Sequence, residues 1–336
     1  MTHISGAAPV ADRSSNAVLA LLSGYPSRLR LEKPLAFLEV YSDDSASDVG
    51  DRRLFFAGYL NSAQAWALFS DAWGECLRSD PKIEYLKMVE ANGLRDQFGG
   101  WSGSERDEKL RRLSFIIAHF RPLSFSFSVS RKEFDEELGG VIPRGLNAHF
   151  ISAFGIVSGI VRYLENSRVE TPVKFIFDSQ DGVDVDIHLF LDWMVRHLSP
   201  KARRLINKHP SFEDDITLMP LQAADMLAWH LRRNHERGDC DKEMLDRLIG
   251  DLYLNSGLDI SQLRDWRLEF SRLPMVSEMQ SKTDWRRLRG GISRLKADGY
   301  RFPYGSRWKN AKYLTKDWIS RSRWKLGRYF DSLRRK

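Results

Sequence analysis

The chain has 336 residues, of which 42% are hydrophobic and 12% aromatic, enough to bury a substantial core and to exclude a wholly disordered or fibrous protein. No apolar run reaches the roughly 20 residues that a membrane-spanning helix needs, so we expect a soluble protein. The charge is segregated: residues 281–336 hold 18 Lys or Arg and 4 Asp or Glu, whereas residues 1–280 hold 34 and 41. An acidic body joined to a basic tail favours a polyanionic partner.

The cysteine content and the N-terminus indicate a cellular location. Cys76 and Cys240 lie far apart in the sequence and match neither a disulfide framework nor a paired-cysteine metal motif. Their scarcity favours a reducing compartment, so we predict a cytoplasmic protein. Residues 1–34 mix small and polar residues around one short apolar patch, with little positive charge before it, which is atypical of a signal peptide. We predict a flexible N-terminal lead-in over these residues.

The first half of the body is predicted to contain a hairpin, a helix and a third strand. Leu35–Ser42 and Leu54–Leu60 are apolar runs of strand length separated by a turn-rich segment, which predicts the hairpin. Residues 63–77 place aromatic side chains three to four apart, which is typical of an amphipathic helix with a buried aromatic face. Leu123–Ser130 alternates apolar residues with serine and predicts a strand with one polar face.

The second half alternates helices with strands. Asn147–Leu164 has helical spacing, and the apolar run at 173–178 predicts a buried strand, so strand, helix and strand form a crossover unit. We predict a further helix at Leu189–Leu198 and a short strand at Ile216–Met219. Pro220 then opens a helix, since proline at the first helical position costs no hydrogen bond. The fold class that these elements predict is α/β with a mixed sheet.

Four carboxylates fall where this topology would gather them. Asp43 and Asp44 end the first strand, Asp178 ends the strand at 173–178, and Asp225 lies one turn into the helix after Pro220. A carboxylate within the apolar sequence AADMLAW requires a partner or a cation, because an isolated buried charge costs several kcal/mol. Carboxylate oxygens suit magnesium or manganese, whereas zinc usually recruits His or Cys.

Each acid also has a purely structural interpretation. Aspartates at strand ends often accept hydrogen bonds from nearby backbone amides, which would explain Asp44 and Asp178 taken singly. Asp225 could pair with an arginine such as Arg232. The acidic loop at 213–215 is interpreted as solvated rather than catalytic. The sequence contains no glycine-rich phosphate loop and no nucleophilic serine or cysteine elbow.

Several of these segments resemble a known family. The stretch from YSDDS through FFAGYL, the segment IEYLKM, the strand VKFIFDSQ and above all PLQAADMLAW are similar to the domain of unknown function 3800. That family is placed among the ribonuclease H-like folds, which include integrases and Holliday-junction resolvases. The resemblance covers about Leu35 to Arg233. It implies a ribonuclease H-like domain over residues 35–235, a mixed sheet flanked by helices, followed by a helical, basic C-terminal region over residues 236–336.

The resemblance also implies a set of metal ligands. Asp43 matches the metal ligand of the first strand, and Asp44 is the acid beside it, where the family more usually has Glu. Asp178 matches the carboxylate after the fourth strand, and Asp225 the one on the last helix. By this resemblance all four are catalytic, and Asp43, Asp178 and Asp225 bind the metal.

One departure from the pattern concerns a further acid. Ribonuclease H-like enzymes often add a Glu from the helix after the third strand, but here that helix begins NAHFISAFG and offers no carboxylate before Glu165. Glu84 or Glu90 is the candidate substitute. Ser45 and Gln222 are expected to contact the metal ligands rather than the metal itself.

The chemistry that follows is metal-dependent hydrolysis of nucleic-acid phosphodiester bonds. Two Mg²⁺ or Mn²⁺ ions about 4 Å apart would lower the pKa of an attacking water and stabilise the departing oxygen. The alternative is a catalytically inactive module of a bacterial assembly that binds nucleic acid or a protein partner, which the missing helix Glu favours. The residues do not discriminate DNA from RNA, since fold-level analogy indicates chemistry better than substrate.

The basic tail provides a second indication of a nucleic-acid partner. Basic side chains neutralise phosphates, and aromatic rings offer stacking surfaces worth roughly 1–3 kcal/mol per base. A basic helical pair that packs its tryptophans on the acidic body is the alternative, and membrane-surface binding is disfavoured because the aromatics do not segregate onto one helical face. The predicted nucleic-acid contacts are Arg286, Arg287, Arg289, Arg307, Trp308, Lys309, Arg321, Arg323, Trp324 and Lys325.

Overall fold

The computed structural model describes residues 37–45, 53–139, 141–142, 147–179, 195, 198–207, 210–238 and 240–272. The predicted lead-in at 1–34, most of the helix predicted at 189–198 and all of the predicted nucleic-acid contacts in the tail lie outside the described residues.

In the described part of the chain, six strands form one mixed sheet with the order β5-β4-β1-β2-β3-β6. Strand β2 is antiparallel to β1 and β3, whereas β4 is parallel to β1, β5 to β4, and β6 to β3. The predicted hairpin and the mixed α/β sheet are therefore confirmed. The strands are β1 Leu38–Ser45, β2 Arg53–Ser62, β3 Leu123–Ser130, β4 Val173–Asp178, β5 Ser211–Glu213 and β6 Tyr253–Leu258.

Helices cover both faces of this sheet. The described helices are α1 Ala63–Arg78, α2 Met88–Gly93, α3 Gly103–Phe120, α4 Arg131–Leu138, α5 Ala148–Asn166, α6 Pro200–Leu205, α7 Met219–Arg237, α8 Lys242–Ile249 and α9 Ile260–Arg272, with a 3₁₀ turn at Asp96–Phe98. One hydrophobic cluster lies between the sheet and α5, and a second lies between the sheet and α1, α3 and α7. None of the helices in the described ranges is long and apolar enough to cross a membrane.

The ends of helices α5 and α7 carry residues that favour the start or the end of a helix. The side chain of Asn147 accepts a hydrogen bond from the backbone N–H of Phe150 and caps α5, which satisfies a donor that the helix itself cannot. Pro220 lies in the first turn of α7, and this helix ends at Gly238, whose φ of 65° is the left-handed conformation that glycine favours.

Side chains alternate between the two faces along β1. Val40 belongs to the cluster beneath α5, and Tyr41 belongs to the cluster beneath α7. By the same period of two, Asp43 lies on the α7 face and Asp44 on the α5 face. The side chains of the two consecutive acids therefore lie on opposite faces of the sheet.

The prediction of a strand at Ile216–Met219 is wrong. These residues form a turn and the start of α7, because the carboxylate of Asp214 accepts a hydrogen bond from the backbone N–H of Ile216 at 2.9 Å. The fifth strand lies just before this turn, at Ser211–Glu213, and pairs with β4. A four-residue apolar run does not by itself distinguish a strand from a turn that enters a helix.

The far side of the described sheet is formed by β3 and β6. Strand β6 pairs with β3, so residues 253–258 add a strand to the sheet. The predicted strand β3 is present, and two serines of its polar face are buried: Ser124 is 0% and Ser126 is 2% exposed. Their hydroxyls donate to the carbonyl of Leu252 and to the amide oxygen of Asn255, at 3.1 and 3.0 Å.

We predict opposite effects of one added methyl group at two glycines one turn apart on α5. A Cβ at Gly155 would lie 2.3 Å from Cε2 of Phe127, so Gly155→Ala should destabilise the protein by about 1–3 kcal/mol through overpacking. A Cβ at Gly159 would meet nothing within 4 Å, so Gly159→Ala should stabilise it by about 0.5–1 kcal/mol. Urea unfolding of both variants measures the difference, and equal effects would contradict the packing of α5 on β3.

Candidate functional site

The predicted acids gather at one edge of the sheet. Strands β1, β4 and β5 are parallel, so their carboxyl ends lie at the same edge. Ser42 pairs with Phe177, which places the next residues, Asp43 and Asp178, side by side. Helix α7 packs across β1 and β2 and carries Asp225 to the same edge. Three segments that are remote in sequence thus contribute carboxylates to one place.

Burial and neighbouring charges shift the pKa values of these carboxylates in the same direction. Asp43 is only 6% exposed, and its burial together with the charges of Asp178 and Asp225 raises its pKa well above the ordinary value. Burial, followed by the charge of Asp215, raises the pKa of Asp178 to about 8. Burial raises the pKa of Asp225 to about 7, although a hydrogen bond from the backbone N–H of Met88 opposes the shift. The acids therefore share one poorly solvated, negatively charged environment.

The acids of the cluster differ in their burial among the described residues. Asp43 lies at the base of the cluster, whereas Asp178 and Asp225 are half-buried and retain some exposed surface. Of these three acids, Asp43 is therefore the most deeply buried.

Asp215 belongs to the cluster, and sequence reasoning missed it. The loop at 213–215 was interpreted as solvated, but Asp215 is 4% exposed and lies 3.1 Å from Nζ of Lys87. Burial raises its pKa to about 6 even though Lys87 lowers it. The signal that would have revealed Asp215 is its position two residues after a strand parallel to β1 and β4, but that strand is only three residues long and was not predicted.

Asp44 faces away from Asp225. Its carboxylate is buried on the α5 side of the sheet, 3.7 Å from Nε2 of His149. Its backbone N–H donates to the Asp43 carboxylate at 2.7 Å. Through its main chain, Asp44 thus orients Asp43, which is the local hydrogen bond that strand-end aspartates commonly accept.

Gln222 joins the elements behind the cluster. Its side-chain oxygen accepts hydrogen bonds from the Trp73 indole and the Leu86 backbone N–H, and its amide donates to the carbonyl of Asp215 at 2.9 Å. Because Gln222 is fully buried, each of these bonds forms away from competing water. The residue therefore ties α1, the segment before α2 and the Asp215 turn to α7.

Ser45 and Arg232 interact with each other rather than with Asp225. The Arg232 guanidinium donates to the Ser45 hydroxyl at 2.8 Å and to the Glu236 carboxylate at 2.9 Å. The alternative interpretation, in which Arg232 pairs with Asp225, is therefore wrong in the described structure. The N–H of Met88 binds Asp225 instead, at 2.7 Å.

The structure places neither Glu84 nor Glu90 among the charges that chiefly shift the pKa values of the cluster. Glu84 is exposed. Glu90 lies on α2 and accepts a hydrogen bond from the Tyr85 hydroxyl at 3.2 Å. Asp215, rather than either glutamate, is the additional acid at this edge.

The acids of the cluster have the chemistry of metal ligands. Every acid in the cluster offers carboxylate oxygens, the ligands that hard cations such as Mg²⁺ prefer, and their shared burial leaves negative charge to be neutralised. Yet among the described residues no three His, Cys, Asp or Glu side chains are arranged to hold a metal ion. Asp225 and Asp215 each have an oxygen engaged, by the Met88 N–H and by Lys87. The chemistry fits a cation, but this arrangement of the side chains does not surround one.

No family model, no curated protein and no solved structure matches this chain. The fold and the site define an α/β protein with a cluster of buried carboxylates at the carboxyl edge of its parallel strands.

We predict that, in the presence of a chelator, the stability of the protein decreases as the pH rises. The pKa of Asp178 is about 8 in the folded state and about 4 in an unfolded chain. Between these values the folded state holds a proton that the unfolded state has lost, so the stabilisation present below pH 4 is lost as the pH rises through 8. Asp178→Asn removes this loss and should raise the melting temperature at pH 8 much more than at pH 5.

Thermal unfolding across this pH range checks the prediction. Asp107→Asn is the control, because Asp107 is an exposed carboxylate on α3 outside the cluster. Parallel profiles for the wild type and Asp178→Asn would contradict the mutual proximity of the acids.

Proposed function

We propose that this chain is a nuclease that depends on Mg²⁺ or Mn²⁺, has a ribonuclease H-like core related to the domain of unknown function 3800, and hydrolyses nucleic-acid phosphodiester bonds. The basic residues of the C-terminal region, from Arg286 to Lys325, would contact the nucleic acid. The observation that carries the proposal is the convergence of Asp43, Asp178 and Asp225. They come from the first strand, the fourth strand and the helix after the fifth strand, in the order that the family resemblance implies.

The energetics support a cation at this edge. Several carboxylates lie in one poorly solvated place, and burying like charges together is costly unless something neutralises them. Protons offset part of this cost, as the raised pKa values indicate, and Lys87 offsets part of it at Asp215. A divalent cation would offset more, because it brings two positive charges to oxygens that suit it.

The proposed role of each residue follows from its position at the edge. Asp43 at the base, with Asp178 and Asp225 on the open side, would hold the cation. The cation, when bound, would lower the pKa of a water and stabilise negative charge on the phosphate. Asp44 would keep the Asp43 carboxylate in place through its backbone N–H, and Gln222 would hold the Asp215 turn.

Asp43→Asn should abolish hydrolysis while leaving the fold intact. Altering a group behind a metal ligand typically costs 10–100-fold in activity, so replacing a ligand should cost more than about 100-fold. Labelled DNA and RNA, each incubated with Mg²⁺ or Mn²⁺, provide the assay, with Asp107→Asn as the control that retains activity. Undiminished cleavage by Asp43→Asn, or by the wild type in excess chelator, would refute the proposal.

A second candidate is a non-catalytic module with the same fold that binds nucleic acid or a protein partner. One observation favours it: in the described ranges, no group of three His, Cys, Asp or Glu side chains could hold a metal ion. The two candidates differ in a titration of Mn²⁺ followed by thermal unfolding.

If the edge binds a cation, Mn²⁺ should stabilise the wild type by about 2.7 kcal/mol at a concentration 100 times the dissociation constant. The same titration should stabilise Asp225→Asn less. An equal response of both proteins would indicate that the cation binds elsewhere, and no response in either would favour the non-catalytic module.

A further inference from the structure

Lys87 extends from a backbone segment that is fixed on both sides. The N–H of Leu86 donates to the side-chain oxygen of Gln222 at 3.2 Å, and the N–H of Met88 donates to the Asp225 carboxylate at 2.7 Å. Both acceptors lie on α7. The residue between them, Lys87, is thereby held beside the acidic edge, and the position of its side chain follows from the same bonds that orient the acids.

The ammonium of Lys87 already acts as a cation in the cluster. Its Nζ lies 3.1 Å from Oδ1 of Asp215, whose side chain is buried, whereas the Lys87 side chain is 34% exposed. Burial lowers the pKa of Lys87, but the charges of Asp215, Asp178 and Asp214 raise it above the ordinary value, so the amine stays protonated. Lys87 therefore interacts with two acids of the cluster and has a path to solvent.

A divalent cation and this ammonium would compete. Both are attracted by the same carboxylates, and like charges a few ångströms apart repel each other strongly where solvent is partly excluded. The ion pair also engages an oxygen of Asp215 that a metal ion would otherwise use. While Lys87 is paired with Asp215, the described acids are not arranged to hold a metal ion.

We propose that Lys87 is the resident counterion of the acidic edge and that a divalent cation displaces its ammonium from Asp215. The inference rests on the proposed function, because it requires that the cluster bind a cation. Displacement would free the Asp215 carboxylate, which lies among Asp43, Asp178 and Asp225, to join them as a ligand. The exchange reconciles a donor set that suits a cation with side chains that do not surround one.

The first test compares the affinity of three full-length proteins for Mn²⁺ by titration calorimetry. Lys87→Met keeps the length of the side chain but removes its charge, so it should bind Mn²⁺ at least tenfold more tightly than the wild type. Lys87→Arg keeps the charge and should remain within a few-fold of the wild type. Tighter binding by both variants would indicate a steric effect and overturn the inference.

The remaining outcomes separate this inference from the proposed function. If the wild type binds Mn²⁺ and Lys87→Met binds it equally or more weakly, the counterion role is overturned and the cation site stands. If neither protein binds Mn²⁺, the cation site fails and the counterion role fails with it.

A second test uses the wild-type chain and needs no variant to fold. The rate at which a succinimidyl ester acetylates Lys87, followed by peptide mass spectrometry, should increase severalfold when Mn²⁺ is added, because the released amine becomes more exposed and less protonated. Lys82, which is exposed and lies just before this segment, is the internal control and should not change. An unchanged or slower rate at Lys87, with Mn²⁺ bound, would overturn the inference.

Discussion

The parallel pairing of β1, β4 and β5 is the constraint on which the acidic edge depends. Parallel strands end at the same side of a sheet, so residues that follow three separate strands meet there without being near one another in the sequence. Antiparallel pairing of β4 with β1 would instead carry Asp178 to the opposite edge. Helix α7, packed across β1 and β2, adds Asp225. The site is therefore a direct product of sheet topology.

The raised pKa values reflect the free-energy cost of placing these carboxylates together. Burial and neighbouring charges raise the pKa of Asp43, of Asp178 and of Asp225, which means that the folded chain holds these carboxylates less favourably than water does. The backbone N–H of Met88 holds the Asp225 carboxylate nonetheless, and the buried side chain of Gln222 holds the Asp215 turn beside it. Buried carboxylates with strongly shifted pKa values are typical of functional sites.

Asp43 and Asp44 are adjacent in the sequence but have different positions at the site. The strand alternates its side chains, so Asp43 faces α7 and Asp44 faces α5 and His149. Asp44 contributes its backbone N–H, which donates to the Asp43 carboxylate, and its charge, which raises the pKa values of Asp178 and Asp225. Asp215, 172 positions from Asp43 along the chain, is the closer partner of Asp178, whose pKa it raises more than Asp44 does.

The sequence by itself determined the elements whose signal is local. Alternation at period two located β3, helical spacing located α5, and Pro220 marked the start of α7. The strand-end acids Asp43 and Asp178 and the helical Asp225 were visible for the same reason, since each stands at a fixed offset from a recognisable element. Only the tertiary structure decided that the serine face of β3 is buried, that Asp215 joins the cluster and that Lys87 is its cation. These facts depend on which segment packs over a side chain, and burial by a distant segment leaves no periodic trace in the residues that it covers.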